Sequence, residues 1–166
     1  MKLLRIILVV FAVSATVARG DGLAMRTNDI PIVSWMGWSS NVRELRLERI
    51  TNDGDWFRLW HEHTGSVGER PYINFTKYMV VAIFIPGESK AGYGIFAGSI
   101  YETAESITLE YGAAGYIAPT GPPKTLYGMF LLPTSAKRLL VKPYSGSSFS
   151  KIKMSEHIFP AIEENK

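Results

Sequence analysis

The chain has no cysteine in 166 residues, which removes disulfides, thiolate nucleophiles, sulfur-ligated metals and the cysteine to which a lipoprotein anchor is attached. An oxidising exterior therefore places no demand on its folding. Positive charge is also short once its position is considered. The formal net charge is +3, and Lys2, Arg5 and Arg19 all stand in the signal-like stretch 1–20 without any acid. The remainder is neutral and has no Lys/Arg cluster of the kind that nucleic acid requires. No apolar run reaches the roughly 20 residues that span a bilayer. Histidine is scarce, three in all.

What the N-terminus does contain is a secretory signal pattern: Lys2 and Arg5, an apolar core over 6–13, then small residues. Cleavage is expected after Ala18, with Thr16 at the third position back, or after Gly20, with Ala18 there. Residues 1–20 then form a signal peptide, and the product is exported, periplasmic or extracellular, with no stable membrane anchor. Roughly 145 remaining residues suffice for one hydrophobic core.

Residues 21–40 mix Gly, Asn, Pro and isolated apolar residues with no period of 2 or 3.6, which reads as an extended lead-in. Within it Trp35 and Trp38 are expected to fold back over the domain as a lid or first strand, with a partner-facing aromatic patch as the alternative. The domain proper is expected over 41–143. Leu45 and Leu47 alternate with charged residues, giving a strand over 42–50 with one wet face. Asn52 and its neighbours supply caps, and Trp56, Leu59, Trp60 and His63 share one face of a helix over 53–63, stopped by Gly65 and Gly68. The run 78–85 is apolar on both faces and β-branched, so it reads as a central strand covered on both sides. Further strands are expected over 92–100, 107–111, 126–132 and 138–142, with a long loop at 112–123 and a loosely held tail at 144–166. Strands without a βαβ rhythm predict a mainly β (α+β) domain, an antiparallel sheet or small β-sandwich with one early amphipathic helix. Its expected core includes Trp56, Trp60, Phe75, Val81 and Ile83. Truncating Trp60 is expected to remove most of the stability.

The motifs that could carry chemistry fail on geometry. His61 and His63 flank Glu62, but residues two apart on a helix point about 200° from each other, whereas paired helix ligands stand at i and i+4. One histidine should be solvated and the other packed. Asn52-Asp53-Gly54-Asp55 lacks the rest of a calcium loop, so capping explains it. Gly87-Glu88-Ser89-Lys90-Ala91 approximates a nucleophile elbow, yet a Gly-rich strand follows it where a helix is needed. Ser148 and Lys151 have Ser-x-x-Lys spacing in the tail, where nothing would depress the lysine. No catalytic residue, metal or cofactor is expected.

Four motifs in order are Trp56-x-x-x-Trp60, Pro71-x-Ile73-Asn74-Phe75, Lys77-x-Met79-Val80-Val81-Ala82 and Gly87-x(4)-Gly92-Tyr93. With them the stretch 50–142 resembles the C-terminal domain of PrcB, the stabilising subunit of a bacterial surface protease complex. Asn74 stands where that family has Asp, which keeps a turn hydrogen bond and loses a charge. The family's Thr-x-x-Pro-Tyr motif is replaced by the more apolar stretch 126–133. The resemblance implies an exported, non-enzymatic domain that stabilises or accompanies a protease or other envelope protein. Tyr93, with Glu88 and Lys90 on a Gly-punctuated loop, is the best candidate for a recognition anchor, with a core tyrosine at the start of a strand as the alternative; Trp35 and Trp38 are candidates beside it. Two other readings stand beside it: a hydrolase built around Glu88, Lys90 and Tyr93, and a carbohydrate-binding module using Trp35, Trp38 and Tyr116.

Overall fold

The two-sided apolar run is the spine of the molecule. In the computed structural model, which describes residues 33–66, 69–86, 94–114, 125–144 and 156–163, it forms a strand at Tyr78–Pro86 whose residues from Met79 to Ile85 are all buried. Met79, Val81, Ile83 and Ile85 enter one core, while Val80, Ala82 and Phe84 enter another. This period of two is what a pleated strand imposes. Burying each large apolar side chain contributes about 1.5–3 kcal/mol, so this one strand supplies a large share of the hydrophobic drive.

In chain order the elements are β1 (Val33–Ser40), β2 (Arg46–Ile50), α1 (Asp53–Thr64), β3 (Tyr78–Pro86), β4 (Gly94–Glu102), β5 (Ser106–Ala114), β6 (Thr125–Pro133), β7 (Arg138–Pro143) and β8 (His157–Phe159). Four strands form an antiparallel sheet in the order β1-β6-β3-β2, and four form a second sheet in the order β4-β5-β7-β8. The second sheet is antiparallel except for the parallel pair of β5 with β7. One core lies between the sheets. The other lies between the first sheet and α1, giving a mainly β sandwich with a helix on one outer face.

The helix forms where its caps permit. Asn52, extended at φ −145° and ψ 162°, accepts the amide of Asp55, and Asp53 and Asp55 sit at the positive end of the helix dipole. Gly65 closes it in the left-handed region at φ 71°, donating to the carbonyl of His61. Trp56, Leu59 and His63 are buried, whereas Trp60 is only half-buried at the rim of the same core. The indole of Trp56 donates to the Pro71 carbonyl at 2.9 Å, which ties the helix to the segment leading into β3. In that segment Ile73 is buried and Phe75 half-buried. Asn74 accepts the amide of Thr76 on its side chain and those of Lys77 and Tyr78 on its carbonyl, the turn role open to Asn as well as Asp.

Four boundaries differ from the sequence reading. The lead-in expected over 21–40 contains β1 from Val33 onward, so the domain does not begin at 41. The strand expected over 42–50 is shortened to Arg46–Ile50, the stretch that pairs with β3, while the amide of Val42 is taken by the Ser40 hydroxyl. Gly112, assigned to a loop, lies inside β5, where a Cβ would collide with the Phe96 ring across the ladder. The tail expected over 144–166 contains β8, paired with β7, and Phe159 packs against the inter-sheet core. Arg49 on β2 reinforces this closure by donating to the carbonyls of Ser135, Lys137 and Pro160. At the opposite edge the sheets meet through backbone: Gly94, at φ 128°, lies against Gly37 so closely that a side chain at 94 would strike the Gly37 nitrogen.

Candidate functional site

Among the described residues strand β1 ends its sheet, pairing with β6 alone. Its successive side chains part to opposite faces. Trp35, opposite Met129, turns to the helix side and meets the Trp56 ring at 5.9 Å, so it is half-buried and belongs to that core. Met36 takes the other face and is 46% exposed, and Trp38 beyond it is 42% exposed. The two tryptophans singled out together therefore separate: Trp38 lies at the surface and Trp35 does not.

Two further facts make this end of β1 distinctive. Stretch 33–42 carries no charged residue, whereas outer strands are commonly guarded by Lys, Pro or inward-turned charge. The strand also bulges between Gly37 and Ser40, which leaves Trp38 and Ser39 out of register before pairing resumes at Ser40 with Thr125. Gly94, where the chain returns from 87–93, rests against Gly37 between Met36 and Trp38. Glu88, Lys90 and Tyr93 lie outside the described residues, as do Tyr116, Ser148 and Lys151. Met36 escaped the sequence reading because nothing in the pattern set it apart from a lead-in.

Behind β1 sits the one buried histidine among the described residues. His63 is 6% exposed, with its ring 5.7 Å from Trp60, 5.9 Å from Phe84 and 4.3 Å from Tyr127. Its Nδ1 is 2.9 Å from the Ser40 hydroxyl. Burial holds the imidazole below its ordinary value and pushes the Tyr127 phenol above its own. His61 faces solvent, stacked on Phe57, whose ring also carries the Arg70 guanidinium at 5.7 Å. The two histidines thus divide as the helical spacing requires. Among the described residues no group of three metal-ligating side chains forms.

The charged groups tie elements together. Arg46 on β2 bonds Glu44 and Glu62 and lies near Glu48; its hydrogen bonds to Glu62 lead in holding Arg46 above the usual arginine range and Glu62 below the usual carboxylate range. Arg70 grips Asp53 and lowers its carboxyl in the same way, so the acids of the calcium-like stretch cap and anchor the helix. On the outward face of the second sheet, Ser99 donates to Glu110, and Lys142 is raised by its hydrogen bonds to Tyr101 and Glu110. These are cross-strand neighbours in register, Ser99 opposite Glu110 and Glu110 opposite Lys142, which only the ladder reveals. A cleft of about 70 Å³ lined by Ile100, Ile107, Leu132 and Ser135 is far smaller than a substrate pocket.

No described helix is long and apolar enough to cross a membrane. Comparison of the chain with protein-family models, with curated proteins and with solved structures finds no match.

Proposed function

We propose that this chain is an exported, non-enzymatic binding or stabilising domain that accompanies another protein, an exported protease by the PrcB-like motifs, and that it meets its partner with the exposed end of β1. The observation that carries this reading is the uncharged outer strand with Met36 and Trp38 at its surface, held on a sandwich that Trp35 and Gly37 anchor from behind. Edge strands accept partners through their backbone while flanking side chains set specificity. Methionine and tryptophan supply large, adaptable contact area. The half-buried state of Trp35 speaks against a flat sugar-binding platform shared with Trp38.

The test is affinity capture from envelope extract with the purified domain as bait. Changing Met36 and Trp38 together to Ser should reduce recovery of the specific partner at least tenfold with little change in melting temperature, and changing Glu88, Lys90 and Tyr93 together forms a second arm. Phe57→Ser, on the exposed helix face, should leave capture intact. Turnover of peptide, ester or glycan substrates by the purified domain, tracking point variants, would replace the binding reading with an enzymatic one.

A further inference from the structure

We infer that His63 is a proton-operated latch between the end of α1 and the end of β1, closed when the ring is neutral and opened by mild acid. The latch is built from three bonds in one place. Asn41 donates its amide to the His63 carbonyl at 3.0 Å, Val42 donates its amide to the Ser40 hydroxyl at 3.1 Å, and that hydroxyl lies 2.9 Å from His63 Nδ1. Either the Ser40 hydroxyl donates to Nδ1 or an Nδ1–H donates to the Ser40 oxygen, according to the tautomer. Protonating the ring puts hydrogen on both nitrogens, so a hydroxyl that was donating must turn away, and a cation is left in a pocket of Trp60, Phe84 and Tyr127.

Nothing described nearby compensates that charge. Strands β1, β3 and β6, which pack against the ring, carry no charged residue, and Tyr127 is their only titratable group in contact with it. On α1 the charged groups are engaged elsewhere: Asp53 with Arg70, Asp55 with Arg58 and Asn52, and Glu62 with Arg46. His61 is exposed on Phe57. The latch therefore has a single proton-binding element, and its depressed basicity follows from burial.

The sign follows from linkage. Below about pH 6.5 the unfolded chain protonates this histidine while the closed form resists, so closure weakens as pH falls from about 6.5 to the lower folded value. Asp53 and Glu62, held low by their arginines, contribute stability above their ordinary range and lose it only at more acidic pH. The two effects occupy separate windows.

The experiment uses the full exported chain. Ring NMR should show His63 titrating below 6.5. As pH falls below about 6.5 the unfolding constant in urea should rise, by no more than about tenfold per pH unit, with amide exchange at Asn41 and Val42 accelerating in step. His63→Gln, which keeps an acceptor for Ser40 and does not titrate, should flatten both. A ring that titrates at the ordinary value, or an equal pH slope in His63→Gln, would overturn the latch. The ring titration is read on the unaltered protein, so a variant that fails to fold does not shelter the inference. Regulation of binding rests on β1 being the contact strand proposed above: capture should fall at pH 5.5 in the native chain and persist in His63→Gln. A latch that opens without loss of capture would stand, and the β1 binding reading would fall.

Discussion

Trp56 and Trp60 share a helix and stand one turn apart, yet replacing each by Ala should have different outcomes. Trp56 is 0% exposed and its indole N–H is bonded to Pro71. Its ring is packed between Trp35 at 5.9 Å and Trp60 at 5.1 Å. Removing a buried tryptophan costs about 3–5 kcal/mol, and leaving the Pro71 carbonyl without its donor adds about 1 kcal/mol or more. Against a typical domain stability of about 5–15 kcal/mol, Trp56→Ala should bring the protein close to unfolding. Trp60 is half-buried at the rim, where solvent enters the vacated space instead of leaving a cavity, so Trp60→Ala should cost about 1–2 kcal/mol. With a urea dependence of about 2 kcal/mol/M, the midpoint should fall by about 2 M or more for Trp56→Ala and by about 0.5–1 M for Trp60→Ala. Urea unfolding followed by far-UV circular dichroism measures both. Equal shifts, or a larger one at Trp60, would refute the seating of the helix described above and restore Trp60 as the anchor expected from periodicity.

Gly94→Ala should destabilise by about 2–4 kcal/mol, since φ 128° is strained for any side chain and the new Cβ strikes Gly37, whereas Gly54→Ala, with room on the helix, should gain about 0.5–1 kcal/mol; thermal melts of the pair check the contrast. Arg49→Met should detach β8, because it removes the donors to Ser135, Lys137 and Pro160, and hydrogen exchange over 157–163 should rise while β3 stays protected. Unchanged protection of that stretch would mean that the ladder to β7 holds it unaided.

The sequence was most readable where one face or one cap decides the conformation. The helix followed from Asn52, Gly65 and the spacing of Trp56, Leu59 and His63. The run in β3 declared itself by being apolar on both faces, and β5 by alternation of Ile107, Leu109 and Tyr111 with polar residues. β1 was blurred because Trp35 faces the core while Met36 and Trp38 face out, so size and polarity carry no period there. A three-residue strand such as β8 is too short for any pattern. Its tether, Arg49, bonds main-chain carbonyls that leave no trace in side-chain identity. The partnership of Ser40 with His63 joins residues 23 apart. Spacing showed that His63 would be packed and could not show against what. Glu88, Lys90 and Tyr93 remain proposals from the loop's composition and the family likeness.

The strand order has a consequence for how the chain comes to be folded. β5 and β7 lie side by side and parallel in one sheet, while β6, which connects them in sequence, is paired in the other between β1 and β3. The sheets are therefore laced, since the chain leaves the second sheet after β5, passes through the first as β6 and returns as β7. β1 waits longest, since Val33 must pair with Leu131, almost the whole length of the domain away. Such distant pairings make folding slow and leave unpaired edges on view meanwhile. A chain emerging N-terminus first would carry the uncharged Met36 and Trp38 stretch exposed until β6 arrives. That interval is when a chaperone, or a partner bound early, would have most to protect.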